Sequence, residues 1–173
     1  MFYGPAGPAR EWDAKLVRYA DDFVVLAKQI TPALEQFIES RLEGKFGLEI
    51  NRDKTRVVDL KREGASLDFL GYTFRFDRDL YGADRRYLNV TPSKKAVLKE
   101  QEVLRGMTGS AQCFKPLPKL ISRLNRHLTG WANCFSVGYP SKAYRQINWY
   151  VRQRLLRHLR RRSQRSYRRV GLF

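Results

Sequence analysis

With 173 residues, 34 Lys and Arg against 17 Asp and Glu, and a formal charge of +17, the chain has the size of one or two small domains and the charge of a protein that meets a polyanion. Its 43% apolar content suffices for a core, and the two distant cysteines, Cys113 and Cys134, argue against a disulfide framework or a zinc site and for a reducing cytosol. No apolar run approaches the ~18–20 residues of a membrane span, and Met1–Arg10 lacks the basic start and apolar stretch of a signal peptide, so the expectation is a soluble cytoplasmic chain with no membrane partner.

The charge is divided unevenly. Residues 1–89 hold 15 basic and 15 acidic side chains, whereas residues 90–173 hold 19 and 2, so the second half carries the whole net charge. Neutralised phosphates release counterions, and this makes nucleic acid the first partner to expect of that half. The change falls near Asn89-Val90-Thr91-Pro92, where strand-like sequence gives way to helical periodicity.

In chain order, Gly4-Pro5-Ala6-Gly7-Pro8 reads as part of a flexible lead-in over residues 1–13. Leu16-Val17 and Phe23–Leu26 read as two short strands, with Asp21-Asp22 at the turn between them. Adjacent carboxylates on a rigid turn can help to hold Mg²⁺, the hard cation of phosphoryl transfer, although a bare acidic turn has the same spelling. Thr31 and Pro32 predict a helix start, and Leu34, Phe37, Ile38 and Leu42 continue it as far as Gly47. Strands are then expected at Leu48–Ile50 and Thr55–Leu60 about an Asn51–Lys54 turn, at Asp68–Phe76, and at Arg86–Val90. The result is an α+β unit over residues 14–90 with a largely antiparallel sheet.

Beyond Pro92 the sequence predicts a three-helix bundle over residues 91–160. Val97, Leu98, Leu104 and Met107 mark the first helix, which ends around Gly106. Leu117, Leu120, Ile121, Leu124, Leu128, Trp131 and Phe135 mark the second. The third opens at Pro140-Ser141, with Ala143, Ile147, Tyr150, Val151, Leu155, Leu156 and Leu159 facing inward, and runs into a basic tail over 161–173 that includes Arg165, Arg168 and Arg169. Arg123 and Arg126 fall on the polar side of the second helix, and Arg145, Arg152, Arg154, Arg157, Arg160 and Arg161 recur along the third. No acid occurs from Val103 onward, and arginine outnumbers lysine, which suits bidentate phosphate contacts and stacking on unpaired bases. His127 and His158 are isolated in sequence and suggest no catalytic pairing.

Tyr19-Ala20-Asp21-Asp22 resembles the YxDD active-site turn of reverse transcriptases encoded by group II introns. Gly47–Asn51 with Lys54-Thr55 resembles the next palm motif of that family, and Asp68-Phe69-Leu70-Gly71-Tyr72 resembles its primer-grip hairpin. Leu124–Phe135 and Tyr150–Leu155 are similar to its thumb-like maturase region, with Cys134 where an aromatic residue is expected. The likeness covers residues 14–165.

It implies Asp21 and Asp22 as metal ligands, and Lys54 as a cation near the pyrophosphate leaving group, where a solvated turn lysine is the structural alternative. It also implies Phe69, Leu70 and Gly71 as a primer grip, although plain packing explains the two apolar side chains equally simply and Trp131 reads as core. The family carries fingers and a further palm Asp upstream of the YxDD turn, which this sequence does not contain, and Asp13 is not placed to substitute for it. The expected function is therefore an RNA-binding maturase that assists splicing of group II intron RNA, with a DNA target or cDNA primer as further possible contacts and without autonomous polymerase activity. The alternative is one half of a split RNA-directed DNA polymerase, completed by an upstream chain or a homodimer and using Mg²⁺.

Overall fold

The computed structural model describes residues 2–4, 7–45, 47, 49–52, 55–79 and 85–162, so Lys54 and the tail beyond Arg162 lie outside the described residues. The chain forms two compact units, residues 1–59 and 60–173.

In the first unit a single helical turn, α1 (Pro8–Glu11), precedes an antiparallel hairpin of β1 (Lys15–Tyr19) and β2 (Asp22–Leu26). Their register runs from Lys15 opposite Leu26 to Tyr19 opposite Asp22, which leaves Ala20 and Asp21 as the two-residue tip. The turn thus lies one residue earlier than expected, and Asp22 already belongs to β2. Ala20 adopts φ +50°, the left-handed first position that lets a two-residue turn follow the twist of its strands. The Tyr3 hydroxyl clasps β1, donating to the Leu16 carbonyl at 3.0 Å and accepting from the Leu16 N–H at 3.1 Å.

Helix α2 (Pro32–Glu39) starts as its sequence requires. Thr31 Oγ1 accepts from the Leu34 N–H at 3.3 Å, Pro32 occupies the first turn, and Leu34 is fully buried. A π-helical stretch, Ser40–Lys45, extends it, and Gly47 follows at φ +60°. The strands expected at 48–50 and 55–60 do not form: Leu48 is outside the described residues, and the described positions join neither sheet. A strand needs a ladder partner, whereas the N–H and hydroxyl of Thr55 both bond locally to the Asn51 carbonyl at 3.0 Å.

The second unit contains a meander of β3 (Leu67–Phe69), β4 (Tyr72–Arg78) and β5 (Arg86–Pro92), paired in that order and antiparallel throughout. The strand expected over Asp68–Phe76 is divided by a turn at Leu70-Gly71, with φ +50° and +81°. Three helices follow: α3 (Lys94–Met107), capped by Ser93 Oγ accepting from the Ala96 N–H at 3.1 Å, α4 (Leu117–Cys134) and α5 (Ser141–Arg162).

Their shared core is Val97, Leu104 and Met107 from α3, Leu120 and Leu124 from α4, and Ala143, Ile147 and Val151 from α5. On α5 the buried line continues through Arg154 and His158, while Leu159 is exposed and Leu156 half-buried, contrary to expectation. Steps of four, four, three and four residues from Ala143 keep one face inward, and Leu156 and Leu159 lie off it.

An aromatic chain joins the sheet to the helices. Tyr72 meets Phe135 with ring centroids 5.2 Å apart, Phe135 meets Trp131 at 4.9 Å, and Trp131 meets Tyr144 at 6.0 Å, so Trp131 is a packing residue. The Tyr72 hydroxyl donates to the Cys134 carbonyl at 2.7 Å, and the Tyr139 N–H donates to Val90 O at 2.7 Å. Gly138, at φ +78°, leaves room for that approach, since a Cβ there would lie 2.2 Å from Val90 O.

Candidate nucleic-acid interface

The tip of the first hairpin presents Asp21 and Asp22 to solvent side by side in sequence. Arg18 Nε donates to the Ala20 carbonyl at 2.9 Å and steadies the turn from its own strand. Among the described residues no group of three or more His, Cys, Asp or Glu converges on a metal position. Mg²⁺ commonly takes one or two protein carboxylates and completes its octahedron with water and phosphate oxygens. Asp13 is engaged elsewhere: its carboxylate meets Lys28 Nζ at 2.8 Å, and that hydrogen bond and charge hold its pKa below the ordinary value.

At the second turn Phe69 is half-buried, Leu70 is exposed, and Gly71 faces the helices. A Cβ on Gly71 would meet the Phe135 ring at 3.2 Å, and its carbonyl accepts from the Ser93 N–H at 2.8 Å. The close approach that this glycine permits is to an aromatic ring of the same unit.

The arginines divide by burial. Arg123, Arg126, Arg145, Arg152, Arg157, Arg160 and Arg161 are exposed, whereas Arg154 is 7% exposed. Its Nε donates to Thr108 Oγ1 at 3.0 Å and its Nη2 to the Arg105 carbonyl at 3.1 Å. His158, fully buried one turn later, donates Nδ1–H to the Thr108 carbonyl at 3.3 Å. These two side chains satisfy polar groups at the C-terminal end of α3, where cations are favoured by unpaired carbonyls. Arg154 therefore belongs to the packing of the unit, although periodic spacing alone groups it with the phosphate-facing set.

On α4, Lys119, Arg123 and Arg126 repeat at positions i, i+4 and i+7 and, with Pro118 and Ser122, line a shallow open concavity on the side away from Leu120 and Leu124. On α5, Lys142, Arg145, Trp149, Arg152 and Arg160 are all exposed. Lys119, Lys142 and Trp149 recur with these arginines at three- and four-residue steps, which is the signal for them in the sequence.

Carboxylates are nearly absent from these helices. Of the two acids beyond residue 90, Glu100 is 4% exposed and lies against His127, whose Nε2 is 3.0 Å from each carboxylate oxygen. His127 is thus paired, contrary to its isolation in sequence, because the packing of α3 beside α4 brings together residues 27 positions apart. Glu102 is left as the exposed acid of the three helices. The outward faces are consequently arginine-rich and almost uncompensated, a surface suited to charge-assisted contacts with phosphate oxygens.

Residues 99–171, which take in most of α3 and all of α4 and α5, match a family model described as group II intron, maturase-specific domain. Comparison with curated proteins gave no match.

Proposed function

We propose that residues 99–171, which match the group II intron maturase-specific model, act as such a domain, and that the chain binds structured group II intron RNA through the outward arginines of α4 and α5 and thereby assists splicing. The observation that carries the proposal is the pair of exposed cationic faces, Lys119-Arg123-Arg126 on α4 and Arg145-Arg152-Arg160 on α5, two helices that contain no acid. Guanidinium groups held on rigid helices offset the mutual repulsion of phosphates that must approach when an RNA folds compactly. A protein that binds the folded RNA in preference to looser forms shifts the population toward it. The test measures binding of a group II intron RNA over a salt series. Replacing Arg145, Arg152 and Arg157 together by Ala should weaken binding and flatten the salt dependence; unchanged affinity and slope would remove the proposal.

A second reading is favoured by the hairpin tip. Ala20 is held at φ +50° directly before Asp21, in a turn that sets Asp21 and Asp22, both exposed, at the end of the ribbon. We infer from this an alternative role as part of a split RNA-directed DNA polymerase. In it Asp21 and Asp22 would contribute oxygens to Mg²⁺, the ion would stabilise charge on the reacting phosphate, and another chain or a second copy would supply the remaining groups. Exposed Val17, Tyr19, Phe23 and Leu26 on the same ribbon are suited to being covered by such a partner. Primer extension that appears only with an added fingers-and-palm chain, and that Asp21→Ala abolishes, supports this role; extension unaffected by Asp21→Ala would dismiss it.

A further inference from the structure

Trp149 is 64% exposed in the middle of a 22-residue helix, an uncommon place for the largest apolar side chain. It lies two residues from both Ile147 and Val151, which are buried, so at ~100° per residue it points away from the core. Arg145 and Arg152, four residues before and three after, flank it on the same face, and Lys142 and Arg160 extend that face at either end. The α5 helix contains no acid.

Three occupants could cover such a ring. A protein partner or second copy would have to desolvate the surrounding cations, and interface cores are depleted in charged residues for that reason. A duplex offers phosphates to the cations but keeps its base faces stacked away from the ring. An unpaired strand offers both a phosphate spacing for the arginines and a free π-face for the indole, and base–aromatic stacking does not depend on which base is present.

We propose that the outward face of α5 binds an unpaired nucleic-acid segment, with a base stacked on Trp149 and the flanking phosphates held by Arg145 and Arg152. This rests on the RNA-binding reading above and deepens it, assigning α5 to single-stranded elements. The indole fixes where a base sits without selecting its identity, while the arginines set the direction of the backbone. Neither Trp12 nor Trp131 duplicates this arrangement, since Trp12 packs edge-on to Phe37 and Trp131 against Phe135.

The experiment compares the full chain and its variants on three probes of equal phosphate number: an oligouridylate strand, the same strand with abasic residues, and an RNA duplex. The wild type should prefer the base-bearing strand over the abasic one and lose tryptophan emission on binding it. Trp149→Ala should bind the base-bearing strand roughly ten-fold or more weakly while leaving affinity for the abasic strand and the duplex, and the salt slope, unchanged. Trp149→Phe should restore part of the affinity, and it serves as the test variant if the alanine form does not fold. Arg145→Ala with Arg152→Ala should instead weaken all three probes and flatten the slope.

Equal affinity of wild type and Trp149→Ala for the base-bearing strand overturns the proposal while leaving RNA binding intact. A wild type that binds none of the probes overturns both readings. Self-association that Trp149→Ala abolishes, with strand binding unchanged, overturns it in favour of a second copy on this face.

Discussion

Two tight turns of this chain share a backbone feature and differ in what supports it. Ala20 and Leu70 both stand at φ +50° at the first position of a two-residue hairpin turn. At Leu70 the next residue is glycine, its carbonyl is held by the Ser93 N–H, and Phe135 closes against it, so surrounding packing over-determines the strained residue. At Ala20 the turn is steadied by Arg18 of β1, and the strands themselves expose Val17, Tyr19, Phe23 and Leu26. The same strain is absorbed by a packed core in one case and by a local hydrogen bond in the other. A turn embedded in a core reports on architecture, whereas one displayed at the end of an exposed ribbon reports on what it displays, here two carboxylates.

Four substitutions sharpen that contrast. The largest effect is expected inside the second unit: Arg154→Ala, which leaves Thr108 Oγ1 and the Arg105 carbonyl without their donor, should cost about 2–3 kcal/mol in denaturant unfolding. Arg152→Ala, on the exposed side of the same helix, should change stability by less than about 0.5 kcal/mol. Equal costs for the two would break the division of arginines by burial. Next, Gly71→Ala should destabilise by about 2 kcal/mol, since it adds a methyl at φ +81° that meets the Phe135 ring. Ala20→Gly should do the opposite and gain up to about 1 kcal/mol in the hairpin, read by amide exchange of β1 and β2; a loss there would mean that the alanine side chain is itself required.

A further small effect is expected on the acid limb. Arg75 grips Asp77, with Nε 2.7 Å from Oδ1 and Nη2 2.8 Å from Oδ2, and the Asn89 amide adds a further donor. The hydrogen bond from the Arg75 guanidinium, helped by the Asn89 amide and the Arg75 charge, holds the Asp77 carboxyl below the usual carboxylate range. A depressed folded-state pKa gives stability that is present above the unfolded carboxyl value of about 3.9 and lost as pH falls through the folded one. Asp77→Asn should therefore remove a contribution of under about 1 kcal/mol at neutral pH and flatten the stability curve below pH 4. An unaltered acid limb would show that another carboxylate governs it.

The helices were legible because their signals are local. Thr31-Pro32 starts α2, and leucines at three- and four-residue steps identified the buried face of α4, whereas on α3 Leu98, which also marked that helix, is 50% exposed. What escaped was decided by partners distant in sequence. The pairing of His127 with Glu100 and the burial of Arg154 and His158 at the end of α3 depend on tertiary contacts that periodicity does not encode. The strands expected at 48–50 and 55–60 satisfied a local pattern without a neighbour to complete a ladder. Of the candidate site, the acidic turn was legible to within one residue and seven of the eight named arginines were exposed as their spacing implied. Trp149 is not legible as a surface residue, because an aromatic on a helix ordinarily belongs to its core.

The central claim, that the exposed arginines of α4 and α5 form the nucleic-acid surface of this unit, is tested most directly by the salt dependence of intron RNA binding. The wild type should show a steep linear fall of log affinity with log salt, and the Arg145→Ala, Arg152→Ala, Arg157→Ala triple variant should reduce the slope by roughly 2–3 units. A slope identical to that of the wild type, in a variant of unchanged stability, would contradict the account.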